Sequence, residues 1–322
     1  MTRYIANRLV QILLVLLAMS FVVYLLIGLM PGDPIDILVN ADPRMTAQDA
    51  ARLRAVYGLD GSLIERYLAW LGQAVQGNFG YSRSFSIPAI EVLVPRLGNT
   101  VLLMGLSFAL SVALAFPLAI AGARRPGSGR DTAINLLSFA GISVPPFWLA
   151  LLLIMLFAVA WGILPASGMR SDDVMPGFFA ELVDRLRHLA LPVLTLTLVS
   201  VGHYTRYIRA AMIESLRLDF VRTARAKGLP ERRVIWGHAL GNAMIPILTI
   251  LALSFGGLLS GALITETIFA WPGMGKAIYD AIMGNDYNLA LVGLLLATLT
   301  TLLANLAADL GYAWLDPRIK LG

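Results

Sequence analysis

The residues of this chain that could do chemistry are few, and their spacing argues against bond-making. Gly275-Lys276 is the nearest approach to a phosphate-binding loop, which needs a glycine, four residues, then Gly-Lys-Ser/Thr. Here Ala270 stands at the first glycine and Ala277 at the hydroxyl residue. Ser260-Gly261 follows Leu258-Leu259, not the glycine-flanked elbow that presents a serine nucleophile. His188, His203 and His238 are scattered without metal-ligand spacing, and cysteine is absent, which removes disulfides and thiolate sites together. His203 reads as a polar residue near the inner end of an apolar run, with no acidic neighbour in sequence to make it a proton relay. Glu266 and Asp309 fall near the ends of apolar runs, where a charge costs less than the roughly 2.5–3.5 kcal/mol of a mid-membrane position.

What the chain offers instead is a basic bend, Phe220-Val221-Arg222-Thr223-Ala224-Arg225-Ala226-Lys227-Gly228-Leu229-Pro230. Ile213, Leu216, Phe220, Val221 and Ala224 recur at steps of mostly three or four, the mark of an amphipathic helix. Gly228 supplies a residue that takes φ > 0 and ends that helix. Pro230 suits the first turn of a second, read as 231–240. Two readings stand on these residues alone: a solvated basic loop held on one side of a membrane by its charge, or a helix-bend-helix element with a task of its own.

The elements around this bend are membrane spans. Hydrophobic residues make up 58% of the 322 and charged residues 14%, against about 25% in a soluble domain. A span needs about 20 apolar residues, and six runs qualify: 9–30, 100–123, 133–160, 189–207, 244–264 and 289–310. The first is too long for a signal-peptide core and ends in Pro31-Gly32-Asp33, so it reads as an uncleaved span. Pro117, Pro145, Pro146, Pro192 and Pro246 lie in or at these runs and mark kinks. Placing the N-terminus, 124–131, 206–241 and the end from Asp309 on one side collects 15 basic and 6 acidic residues there, leaving 10 and 14 elsewhere. That asymmetry puts both termini in the cytoplasm. Ser107, Ser111, Thr195, Thr197, Ser200, Ser254, Ser260, Thr298 and Thr301 line helix faces, where most serve packing.

Residues 31–97 form the one sizeable outer segment. Thr46 with Asp49 resembles an N-cap pair, with Gly58 as the stop of that helix. Ser62 with Glu65 is a capping-box pattern, followed by Leu68, Leu71 and Val75 on one face and Gly77 as the stop. Two such helices and the turn around 78–81 make a small cap. It either packs on the outer helix ends or meets a binding protein there.

The wording of the bend decides between its two readings. Val221-Arg222-Thr223-Ala224-Arg225-Ala226-Lys227-Gly228-Leu229 resembles the coupling loop of bacterial ABC-importer permeases, in the branch of binding-protein-dependent inner-membrane components that handles dipeptides, oligopeptides, nickel chelates and glutathione. The general pattern of those permeases is Glu-Ala-Ala, three residues, then Gly. Arg222-Thr223-Ala224 and Gly228 depart from it in the manner of the peptide branch. His238-Ala239-Leu240, Asn242-Ala243, Pro246, Thr265-Glu266-Thr267-Ile268-Phe269, Trp271-Pro272-Gly273 and Asp316-Pro317-Arg318-Ile319 carry the likeness along the chain.

The resemblance implies an all-α polytopic fold of six transmembrane helices, the type I ABC-importer permease fold. Its parts are a first helix (1–30), an extracytoplasmic cap (31–97), a core of five helices (98–310) with a coupling loop at 208–242, and a cytoplasmic tail (311–322). It implies a non-catalytic subunit of a bacterial inner-membrane importer of peptides. Its expected partners are a second homologous permease, two cytoplasmic ATPases that use ATP and Mg, and an external binding protein. Arg222, Thr223, Ala224, Arg225, Ala226, Lys227, Gly228 and Leu229 would be the ATPase-coupling residues. No cofactor is expected on this chain. Nickel chelates and glutathione stay open as cargo. A stand-alone secondary transporter or channel, which wants internal pseudo-symmetry or mid-membrane charges, finds neither here, and a membrane enzyme lacks a catalytic constellation.

Charge asymmetry makes a direct prediction in this Cys-free background. A cysteine at Asp60 is expected to react with an impermeant thiol reagent in intact cells, and one at Arg225 only after permeabilisation. The reverse pattern of labelling would reject the orientation.

Overall fold

A computed structural model describes residues 2–29, 46, 48, 61–173, 176–258 and 262–315. Among them the chain is helical, with one isolated antiparallel bridge between Tyr81 and Pro88. The helices are α1 (Thr2–Gly28), α2 (Leu63–Val75), α3 (Ala89–Ala123), α4 (Gly129–Ser143), α5 (Pro146–Leu153), α6 (Phe178–Leu216), α7 (Asp219–Ala226), α8 (Glu231–Arg233), α9 (Leu240–Leu258), α10 (Leu263–Ile268), α11 (Met274–Met283) and α12 (Tyr287–Leu315). Two π-helical stretches, Ile154–Ala160 and Val234–Ala239, extend α5 and join α8 to α9.

Four helical segments are long and apolar enough to cross a membrane: Tyr4–Gly28, Ala89–Ala123, Glu231–Ser254 and Tyr287–Gly311. A fifth arises if the pair Gly129–Ser143 and Pro146–Ala160 counts as one broken span. The run 133–160 is therefore no straight helix. It bends by 98°, where Pro146 has no N–H to continue the ladder and Pro145 caps the next helix. The run 189–207 is the middle of α6, which has Pro192 inside it. Its Thr195 and Thr197 are fully buried. Thr195 Oγ1 donates to Leu191 O at 2.9 Å and Thr197 Oγ1 to Ser107 O at 3.4 Å. The residues that dilute its hydropathy face protein, not lipid.

The chain divides into two compact units. One comprises residues 1–98 and 277–300. Here Ser62 and Glu65 form the reciprocal capping box, with Ser62 N–H donating to Glu65 Oε2 at 2.8 Å and Glu65 N–H to Ser62 Oγ at 3.3 Å. Past α2 the chain turns at Gly77, whose φ is +86°. The pair Thr46 and Asp49 and the stop at Gly58 lie outside the described residues. Loop 78–88 is held by the turn between α11 and α12. The buried Asp286 carboxylate accepts from Ser82 Oγ at 2.6 Å and Ser84 N–H at 2.9 Å. It also receives the N–H of Leu289, capping α12. Arg83 donates to Gly284 O, and Asn288 Nδ2 to Tyr81 O.

The other unit comprises residues 99–276 and 301–322. In it α4 and α6 run antiparallel, since Asp131 pairs with Arg209, Ser138 meets Gly202, and Gly141 meets Leu198. The backbones nearly touch. A Cβ on Gly202 would collide with the carbonyl of Ser138, and one on Gly141 would lie 2.9 Å from Leu198 O. Small residues at such crossings let dispersion act between main chains where lipid leaves no hydrophobic driving force. A larger core gathers Ala119, Ile208, Met212, Val221, Val234 and Ile247, from α3, α6, α7, the second π-helical stretch and α9.

Two predictions follow from these contacts. Gly202→Leu has to part α4 from α6, at a cost of about 1–3 kcal/mol for overpacking. The loss should appear as a lower temperature for retaining monodisperse chain in detergent, while Gly129→Leu, which meets open space, should not change it. For Asp286, burial pushes the carboxyl up, but the hydrogen bonds from Ser82, Ser84, Arg83 and Leu289 outweigh it and hold it below the usual carboxylate range. Its contribution is then present above the unfolded value of about 3.9 and lost as pH falls through the lower folded value. The protection factor for hydrogen exchange at 82–86, corrected for the intrinsic pH dependence of the amide, should be level between about pH 5 and 8 and fall below about pH 4. Asp286→Ala should lower it between about pH 5 and 8 and remove the fall on acidification.

Candidate functional site

The bend at 220–230 is a folded corner. Helix α7 starts after Leu218 and runs to Ala226. Gly228 has φ +76°. Its N–H reaches Arg225 O at 2.9 Å, and that of Leu229 reaches Ala224 O at 3.3 Å. These two bonds make a Schellman end, in which the left-handed residue closes the last turn. Pro230 then stands as N-cap of α8, accepting from Arg233 N–H at 2.8 Å. The expected short second helix, 231–240, is instead one turn of α-helix followed by the π-helical stretch, and it continues into α9. The wider winding leaves carbonyls to satisfy, and Ser215 Oγ of α6 donates to Ala239 O at 2.6 Å.

Burial divides the corner into two faces. Val221 is 0% exposed, and Ala224, Val234 and Ile235 are buried with it against Ile208 and Met212. Arg222, Thr223, Arg225, Ala226, Lys227 and Gly228 are exposed. Arg225 forms a bidentate pair with Glu231 at 2.8 and 3.2 Å, and Arg222 reaches Asp219 at 3.3 Å. The structure thus brings residues 222–229 into one small ridge, with Ala224 beneath it and Leu229 half-buried at its end. Toward the same end of the helices, α6 is fixed to α4 by Arg209, whose Nε and Nη2 donate to the Asp131 carboxylate at 2.5 and 2.7 Å. Gly127 N–H and Asn135 Nδ2 complete that carboxylate.

Sequence reasoning missed a second centre. Glu266, expected to be cheap at the end of a run, is 0% exposed. Its carboxylate accepts from Thr100 Oγ1 at 2.6 Å and from Lys276 N–H at 2.9 Å. Thr100 Oγ1 in turn accepts from Met274 N–H at 2.8 Å, so the two side chains together cap the start of α11. Burial pushes the Glu266 carboxyl up, opposed by the bonds from Thr100 and the N–H groups of Lys276 and Gly275. Gly273 passes so close that a Cβ there would collide with the carboxylate. Trp271, also 0% exposed, donates from Nε1 to Asn99 O at 3.1 Å, and Asn99 Nδ2 returns a bond to Pro272 O at 2.9 Å. The signal for this centre was the wording Thr265–Gly273 itself. Its partners Asn99 and Thr100 are too distant in sequence to be paired by spacing.

These centres hold backbone; neither offers an acid, base or nucleophile to a ligand. Among the described residues no group of three or more His, Cys, Asp or Glu is placed to hold a metal ion. His188 Nδ1 lies 2.9 Å from Asp184 O, and His203 packs on Tyr207 with centroids 4.8 Å apart. Ser107, Ser111, Thr195 and Thr298 all bond carbonyls one turn back in their own helices. Ser260 and 316–319 lie outside the described residues.

The chain is 36% identical over 321 residues to the oligopeptide transport system permease protein AppB of Bacillus subtilis, covering 99% of this chain and 100% of the relative. It is 37% identical to the di/tripeptide transport system permease protein DppB of Pseudomonas aeruginosa and 34% to the dipeptide transport system permease protein DppB of Escherichia coli, each match covering 99% of both chains. The N-terminal family of binding-protein-dependent transport system membrane components matches residues 1–104. The main family matches residues 100–321. With nearly its whole length accounted for, the chain belongs to the family of binding-protein-dependent transport system inner membrane components.

Proposed function

We propose that this chain is the permease subunit of an ATP-driven importer of dipeptides and oligopeptides. It would form half of a translocation path with a second, homologous permease. The observation that carries the reading is the end-to-end likeness to peptide permeases at 34–37% identity. The partners are two cytoplasmic ATPases, which use ATP and Mg, and an extracytoplasmic binding protein. The chain itself binds no cofactor and hydrolyses nothing. Its span count is six when α6 is added to the four apolar helices and the broken pair. Both termini lie in the cytoplasm of a bacterium, with 31–97 as an outer cap, 98–310 as the core and 311–322 as a tail.

The coupling element is the ridge Arg222–Leu229 within the loop 208–242. Geometry supports the assignment in two ways. The ridge is exposed and polar while its underside is anchored in the core. Its helix end is closed by its own backbone, so force on the ridge is passed to α6 and α9 without first straightening a loop. ATP-driven closure of the ATPases would seat against the ridge, and alternating access of the spans would follow.

Gly228 gives the test. A Cβ at this position meets nothing within 4 Å, yet φ is +76°, so a substitution is strained without colliding. Gly228→Val should cost about 1–3 kcal/mol of local strain. Peptide uptake by cells expressing the whole transporter should fall severalfold at unchanged membrane abundance. Gly228→Asn, which tolerates the left-handed region, should retain most uptake. Arg225→Ala should act mildly, since an exposed pair contributes about 0–1 kcal/mol. Normal uptake by Gly228→Val would remove the coupling role. Retention of a nickel chelate or glutathione by the associated binding protein, in place of peptides, would change the cargo and leave the coupling intact.

A further inference from the structure

Helix α2 carries two apolar stripes, and α1 covers one of them. Leu63 packs on Gly28, where an added Cβ would lie 2.5 Å from Leu63 Cδ2. Tyr67 is buried against Phe21 and Tyr24, with centroids 5.2 and 5.6 Å away. Its hydroxyl lies 2.8 Å from Ser20 Oγ and donates to Leu17 O. Trp70 extends the contact to Tyr24. The second stripe is Ile64, Leu68, Leu71 and Val75, which fall within an arc of about 60° on a helix of 3.6 residues per turn. Ile64 is 61%, Leu68 57% and Val75 81% exposed. The sequence places Leu68, Leu71 and Val75 on one face. The structure turns Tyr67, on the neighbouring stripe, to α1 and leaves Leu68 and Val75 open.

Depth identifies what covers it. Leu17 and Gly28 are separated by about 16 Å of helix rise, about half the thickness of the hydrocarbon layer. Tyr67 therefore engages an apolar, span-length helix well below its end, and α2 lies against the C-terminal half of that helix. On the side of α1 that meets α2, Leu17 and Phe21 are themselves 39% and 41% exposed, so the open stripe of α2 borders an apolar surface of α1. Ala69, Gln73 and Gln76 are exposed on other sides of α2, which fits a helix lying in the membrane–water interface. We infer that α2 is an interfacial helix whose Ile64–Leu68–Val75 face is covered by the acyl chains of the leaflet around the C-terminal half of α1. Lipid, and not a soluble partner, is its occupant.

The Cys-free sequence allows a clean test. Single cysteines replace Leu68, Val75, Ala69 or Gln73 in the whole transporter, reconstituted in phosphatidylethanolamine–phosphatidylglycerol nanodiscs. Each is spin-labelled, with the cysteine-free parent complex as blank. Power saturation then compares collision with oxygen, which concentrates in acyl chains, and with a water-soluble nickel chelate. Leu68 and Val75 should favour oxygen severalfold over the pattern at Ala69 and Gln73. Equal access of the nickel chelate to all four positions would overturn the proposal in favour of a water-facing cap. Exclusion of both reagents from Leu68 and Val75 would overturn it in favour of a protein partner. ATP hydrolysis by each labelled complex in the same nanodiscs, at the rate of the unlabelled parent, establishes that it is folded.

Discussion

One constraint bears on the helix ends among the described residues: a backbone N–H or C=O that leaves a helix ladder in an apolar setting must find another partner. The breaks are many. Prolines lie inside α6 and α9, a pair of prolines bends the segment between α4 and α5, and π-helical winding appears twice. At one π-helical stretch and at several helix starts, polar side chains take up the main-chain groups. Ser215 takes the carbonyl of Ala239, Glu266 and Thr100 take the first N–H groups of α11, Asp131 takes Gly127, and Asp286 takes Ser84 and Leu289. A carboxylate committed to main-chain donors is not available for proton transfer or metal binding. Among the described residues these carboxylates thus serve the helix ends.

What was legible in the sequence was local. The capping box of Ser62 and Glu65, the stop at Gly77 and the left-handed end at Gly228 all depend on residues within a turn or two of one another. Their geometry is set by φ preference and short hydrogen bonds. The centre at Glu266 was not legible, because its partners Asn99 and Thr100 come from α3. Burial of a carboxylate cannot be read from its position in an apolar run when the hydroxyl that receives it is far away in sequence. Which face of α2 meets protein was not legible for a related reason. Periodicity gave an apolar arc wide enough for two surfaces, and only contact with α1 decides which part meets protein. Hydropathy likewise undersells α6, whose threonines and glycine are spent on packing against α3 and α4.

The corner formed by α7 and α8 is where the proposed coupling role attaches. Its apolar side belongs to the same core as the ends of α6 and α9, while its polar side is exposed. An element anchored on one side and open on the other is stiffer than a solvated loop. The ion pair of Asp131 with Arg209 adds a second fixed point on α6. A bidentate guanidinium resists rotation as well as separation.

The π-helical stretch at Val234–Ala239 has a consequence for phase. Winding from i to i+5 accommodates one residue more per closed ring than an α-helix does. That surplus residue turns the face of the helix by about 100° relative to unbroken α winding. Val234, Ile235 and Ala239 consequently point into the core while Trp236 is left at the surface. The azimuth at which α9 faces its neighbours is thus set at the corner itself. Rewinding those six residues as α-helix would turn α9 by about a quarter-turn about its own axis relative to the corner.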